Sequence, residues 1–287
     1  MKKVLLIIFV GIISLLTTAC TNDDMENINI IVTNYPNEYI VKQLYSTHST
    51  ITSIYPDGVD TNTYKINKKQ KQEYAYSDLF IYNGLIEKER DLAVSLLAIN
   101  PNLKIIDTAY VLETDYSTEE LWLDPSSLLM MAQNVRIGLE EYISSTILKK
   151  DIDEKYEKLK VKLSELDAKY RVNVNNASNK KIVIGNSALK YLSKFNFKVT
   201  CIDSDAKQVT LDEVNSLMSE KQISYIYTFK GDKLNDNTKE ILKNNPDVKV
   251  IELHKLNNIS DKERANQKTY ISIMNDNLEL LKKELYQ

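Results

Sequence analysis

Short runs of β-branched and aromatic residues recur along the chain, each followed by a stretch whose apolar positions fall three and four residues apart. Ile28 to Val32, Thr50 to Tyr55, Leu79 to Tyr82 and Lys104 to Ile106 form a first set of predicted strands,. Lys181 to Ile184, Lys198 to Ile202, Ile223 to Thr228 and Val248 to Leu253 form a second. Strands alternating with helices imply βα units and a largely parallel sheet in each set, with functional loops at the carboxyl ends of the strands. Between the sets, Ile152, Tyr156, Leu159, Leu163, Leu166 and Tyr170 lie on one stripe of an amphipathic helix over Asp151 to Asn176,. At about 1.5 Å per residue that helix runs close to 40 Å, roughly the length of a small two-lobed protein. Its heptad pattern stops after about three repeats and is flanked by sheet domains, which favours an intramolecular brace over a coiled-coil partner. The predicted fold is α/β, two βα lobes (30–145 and 179–287) with mainly parallel sheets joined by one long spanning helix (146–178), and a ligand cleft between the lobes.

The first residues follow a different pattern. Met1-Lys2-Lys3 precedes an apolar run from Val4 to Leu16, and then Thr17-Thr18-Ala19-Cys20. The run is short for a membrane span, and a small residue before a lone cysteine predicts a signal peptide over 1–19 that leaves Cys20 as an acylated first residue. Thr17 stands where that cleavage pattern usually has leucine, so a plain secretory signal or an uncleaved anchor are the alternatives. Residues 20–29 are read as a lipid-anchored tether, which puts the body on the extracytoplasmic face of a cell membrane.

Hydrophobic residues at 43% and charged residues at 27% fit an ordinary globular body,. The net charge of −3 becomes more negative when Lys2 and Lys3 leave with the signal, which argues against nucleic acid as a partner,. The lysines between Lys155 and Lys169 alternate with acidic residues and read as a solvated helix face,. Cys201 is the one cysteine besides Cys20, so packing rather than a disulfide framework must hold the fold, and its apolar neighbours predict a buried core thiol,.

Four segments, in order and spacing, resemble the zinc/manganese ABC-transporter substrate-binding lipoproteins, the cluster A-I solute-binding proteins. They are Val32-Thr33-Asn34-Tyr35-Pro36 with Ile54 to Tyr64; Ser77-Asp78-Leu79-Phe80-Ile81-Tyr82-Asn83-Gly84-Leu85; Leu121-Trp122-Leu123-Asp124-Pro125; and Gly185-Asn186-Ser187-Ala188-Leu189-Lys190-Tyr191-Leu192. The resemblance implies a receptor that delivers a divalent metal, zinc or manganese, to an ABC permease and its ATPase subunits, acting as a monomer. It also implies a metal held between the lobes by histidines and one or two carboxylates. The matching positions here are Asn62, Glu120, Asn186 and His254, which offer one carboxylate, one imidazole and two amides, a weaker set for a transition metal,.

Two further readings stay open. One is the same fold serving a non-metal small ligand, held by amides, Glu120, His254 and tyrosines such as Tyr35 and Tyr64. The other is a surface interaction or adhesion lipoprotein with an idle cleft. An enzyme is not expected: Gly185 to Leu189 lacks the closing glycine of a nucleophile elbow, and no Walker loop, dinucleotide fingerprint, Cys/His cluster or HExxH pair occurs,. The two histidines, His48 and His254, leave little for general-base chemistry.

Overall fold

The computed structural model describes residues 25–286; Cys20 and the predicted signal peptide lie outside them. Four parallel strands form the N-terminal sheet, in the order β2-β1-β3-β4: β1 (Ile28–Val32), β2 (Ser49–Ser53), β3 (Leu79–Tyr82) and β4 (Lys104–Asp107). The C-terminal sheet repeats that order as β6-β5-β7-β8, with β5 (Lys181–Ile184), β6 (Lys198–Cys201), β7 (Tyr225–Phe229) and β8 (Lys249–Leu253). In both sheets the chain runs from the first strand to one side and then returns to the other. This puts a switch point beside β1 and beside β5, where crossovers diverge and leave a crevice.

Helices cover the sheets. The N-terminal lobe carries α1 (Tyr35–Tyr45), α2 (Lys68–Ala75), α3 (Glu87–Ile99), α4 (Glu120–Leu123) and α5 (Pro125–Tyr142). After the long helix α6 (Thr146–Asn175) come a 3₁₀ segment (Ser187–Phe195), α7 (Gln208–Ser219), α8 (Asp236–Asn244), α9 (Asp261–Ala265) and α10 (Tyr270–Leu285). Asn34 and Asp124 cap α1 and α5 by accepting the amides of Asn37 and Ser126, and Pro36 and Pro125 follow in the first turns, where a missing N–H costs nothing,.

The spanning helix is 30 residues long, about 45 Å at the usual rise,. It opens at Thr146, five residues ahead of the Asp151 at which the amphipathic pattern was read, because Ser145 accepts the Leu148 amide at 3.3 Å,. Its buried stripe runs Leu148, Ile152, Tyr156, Leu159, Leu163, Leu166, Tyr170 and Val174. These side chains join Ile30 and Ile40 of one lobe to Ile182, Leu189 and Leu278 of the other in a single apolar cluster. Tyr170 adds a buried hydrogen bond from its hydroxyl to the Met274 carbonyl at 2.7 Å.

The fold claims part of the predicted tether. Met25 is fully buried, its carbonyl accepts the Tyr45 hydroxyl at 2.6 Å, and β1 opens at Ile28. Met130 in α5 is half exposed, whereas Val135 and Leu139 are buried. Cys201 is half-buried, and burial pushes its thiol up to about 11. Among the described residues no helix is long and apolar enough to cross a membrane.

Because the stripe on α6 is shared, Leu163→Ala is expected to destabilise both lobes together, by about 2–5 kcal/mol. Urea unfolding followed by far-ultraviolet circular dichroism should show one transition at a lower midpoint; a two-step curve would mean that the lobes have separate cores.

Candidate functional site

The carboxyl ends of β1, β2 and β3 face the loop that follows β8, and a cavity of about 380 Å³ lies between them. Its walls include Asn34, Tyr55, Asn62, Glu89, Glu119 and Trp122 from the N-terminal lobe and Lys255 and Asn257 from the C-terminal lobe. The volume is in the range of small-ligand sites.

Backbone and side-chain hydrogen bonds join the two rims. Gly58, at φ +76, turns the chain after β2 so that its amide meets the Ile259 carbonyl at 2.8 Å,. The Tyr35 amide donates to the Asn257 carbonyl, Asn257 Nδ2 donates to Thr61 Oγ1 at 2.9 Å, and Asn258 Nδ2 donates to the carbonyls of Pro56 and Val59. Trp122 Nε1 donates to the Lys255 carbonyl at 2.8 Å.

Charge is divided between the lobes. Arg264 on α9 forks onto Glu38 and Asp57, with Nη1 2.7 Å from Glu38 and Nη2 2.7 Å from Asp57. Lys255 Nζ lies 3.2 Å from Glu119, and Lys194 pairs with Glu120 and stands 3.6 Å from Asp124. Burial opposes ionisation of Glu119, but the Lys255 ammonium together with hydrogen bonds from the backbone and Ser117 outweighs it and lowers the carboxyl pKa,.

At the floor, Glu89 is 3% exposed, and its carboxylate accepts the Thr33 hydroxyl, the Asn34 amide at 3.1 Å and the Asn83 backbone amide at 2.8 Å. Burial nevertheless wins over these donors and raises its pKa to about 7,.

The four sequence-matched ligand positions are tied to separate neighbours. Asn62 is exposed on the cavity wall, its backbone amide turned to Asp60 at 2.9 Å. Glu120 is 1% exposed and points under the loop, where one oxygen accepts the amides of Asp115 and Tyr116 at 3.1 Å each and the other takes Lys194. Asn186 caps the 3₁₀ segment through Ala188 and gives its Nδ2 to Asp232 at 2.8 Å. His254 accepts the Leu256 amide on Nδ1, which assigns the proton to Nε2, 3.4 Å from Glu263,. Burial lowers the His254 pKa against the pull of Glu263.

Of the four, Asn62 alone lines the cavity. The other chain histidine, His48, is paired with Asp151 at 3.1 Å. Among the described residues no group of three or more His, Cys, Asp and Glu side chains is placed to hold a metal ion. The cavity offers carboxylate, amide and hydroxyl oxygens together with the ammonium groups of Lys88 and Lys255, and neither imidazole nor thiolate, so it does not fit a zinc-type donor set,.

The sequence pattern did not single out Glu119, Glu89, Lys255 or Arg264. The adjacent acids Glu119-Glu120 were a signal that either could face the cleft. Nothing local marked Glu89, since a glutamate in the third helical position reads as an ordinary first-turn acid.

Glu89 carries a pH test. Its folded value of about 7 lies above the ordinary 4.5, so the stability that goes with its protonated form is fully present below 4.5 and is lost as pH rises through 7,. The wild type should lose about 3 kcal/mol relative to Glu89→Gln across that window, whatever the substitution costs at a single pH. Urea midpoints of both proteins from pH 4.5 to 8 measure it; parallel curves would mean that Glu89 does not titrate there.

The zinc-uptake complex component A periplasmic family, ZnuA, matches residues 30–284. The zinc-binding lipoprotein AdcA of Streptococcus pneumoniae is 22% identical over 98% of this chain and 61% of its own length, so the chain spans about three-fifths of that relative. The high-affinity zinc uptake system protein ZnuA of Bacillus subtilis is 23% identical over 94% of each chain. The crystal structure of the Zn(II)-bound ZnuA-like domain of Streptococcus pneumoniae AdcA shares the fold, at a TM-score of 0.72 and 22% identity, covering 91% of this chain and all of that one. With the match running through both lobes and the helix that joins them, the chain belongs to the ZnuA family.

Proposed function

We propose that this chain is the extracytoplasmic solute-binding component of a metal-uptake ABC transporter, tethered through Cys20 and handing a divalent cation to a permease and its ATPase. The observation that carries the reading is the cavity between the lobes, with the Glu119 carboxylate and the Asn62 amide on its wall. The names of the relatives support metal as the cargo. The chain works as a monomer whose one cleft is complete within itself.

The site is a modified one. Oxygen donors suit hard cations such as Mn²⁺ better than Zn²⁺, and with Glu119 paired to an ammonium and Glu89 already holding three internal donors the wall predicts modest affinity,. Glu120, Asn186 and His254 act as supports that fix the loops. A second reading, a small anionic or zwitterionic organic solute, is favoured by Lys88 and Lys255 in the wall beside the rings of Tyr55 and Trp122.

Thermal unfolding of residues 21–287 against Mn²⁺, Zn²⁺ and Ca²⁺, with a chelated control, tests the cargo. A cation at 100 times its dissociation constant adds about 2.7 kcal/mol and should raise the melting temperature. Glu119→Gln and Asn62→Ala should abolish the rise. Melts that no cation moves would remove metal as the cargo and leave the organic solute to be screened.

A further inference from the structure

Glu119 and Glu120 are consecutive, they belong to the N-terminal lobe, and each is met by a lysine that the other lobe sends across the seam. The lysines come from different elements. Lys194 lies in the last turn of the 3₁₀ segment, and Arg171 of the spanning helix donates to its carbonyl at 2.8 Å. Lys255 follows β8, its carbonyl held by Trp122 and its ammonium 5.5 Å from the Phe229 ring centre. Both lysine backbones are therefore anchored by contacts other than the carboxylates that their ammonium groups meet. The side chains of Lys255 and Glu119 are 18% and 22% exposed and that of Glu120 is 2% exposed, so solvent screens these pairs less than it would a surface pair,.

We infer that Lys194 and Lys255 are built-in counter-ions that close the cleft without a bound cation, and that Lys255 sets cation affinity by occupying Glu119. Closure stands on the geometry alone; the effect on affinity rests on the cation-receptor reading above. A divalent ion at the Glu119 carboxylate would lie beside an ammonium already 3.2 Å from it, so the ion must expel Lys255 or bind against its repulsion,. The carboxylates cannot simply lose their lysines either, since an uncompensated charge in a half-buried seam is unfavourable and draws in another cation.

Trp122 is the one tryptophan in the chain, is 3% exposed and hydrogen-bonds across the seam, so its fluorescence reports closure directly. The test compares the wild type, Lys255→Met and the double variant Lys194→Met/Lys255→Met (residues 21–287), each in chelator and in a Mn²⁺ titration. The wild type should keep a buried, acrylamide-protected emission in chelator. The double variant should red-shift and become quenchable, and Mn²⁺ should reverse this. Lys255→Met, which keeps Lys194 and so guards against a double variant that does not fold, should bind Mn²⁺ at least about tenfold more tightly than the wild type. Lys255→Met/Glu119→Gln, with both charges gone, should lose that gain.

A folded double variant whose emission in chelator matches the wild type would overturn closure by lysines. Equal Mn²⁺ affinity in wild type and Lys255→Met, or binding by neither, would overturn the role of Lys255. A wild type that binds no Mn²⁺ beside a Lys255→Met variant that does would support the inference while removing the native chain from the metal receptors.

Discussion

The apolar stripe of the spanning helix, from Leu148 to Val174, must be buried over its whole length, and neither lobe is long enough to cover it alone. The two sheets are therefore placed end to end along α6, one face of each packed into a shared cluster while the opposite face keeps a smaller cluster of its own. Parallel strands need cover on both faces, and α6 with α1, α5 and α10 supplies it on the side where the lobes meet,. The carboxyl ends of both sheets are left to confront each other, and the cleft follows from that placement. A shared core also resists hinge motion, so capture of a solute falls to side chains and loops at the seam.

Those loops meet through a division of charge. Glu38, Asp57, Glu119 and Glu120 lie on one side, and Arg264, Lys255 and Lys194 on the other. Partly buried pairs of this kind add little net stability over apolar contacts, but they penalise any arrangement that leaves a partner behind. Their effect is to specify one docking of the lobes. The backbone bonds around Gly58, Asn257 and Ile259 complete that register without involving the cavity wall at Glu119.

The central strands and the long helix were legible because buried parallel strands such as β3 and β5 read as continuous apolar runs, and because a helix this long repeats its pattern enough to be unmistakable,. The start of the fold was less legible: Met25 is one apolar residue in a polar stretch, and its burial depends on Tyr45, far along the chain. The candidate site was legible only as a location. The family resemblance pointed to Glu120, yet the turn that opens α4 sends Glu120 inward to the amides of Asp115 and Tyr116 and leaves Glu119 on the wall. A single residue of register decides which carboxylate meets solvent, and pattern reading does not resolve one residue at a loop-to-helix junction. Lys255 and Arg264 gain their meaning from partners more than a hundred residues away.

The first strand of each lobe runs into a capping asparagine, Asn34 at the start of α1 and Asn186 at the start of the 3₁₀ segment. A capping amide has turned its oxygen to the backbone and keeps its NH₂ for a side-chain acceptor,. Asn34 gives that group to Glu89 and Asn186 gives its own to Asp232. At the two crevices where an open parallel sheet receives its ligand, both amides are therefore spent within the fold, oxygen on a helix start and nitrogen on a carboxylate,. Each lobe thus closes its own switch point with an amide-to-carboxylate bond, so the crevice beside its first strand is already filled by the protein's own groups.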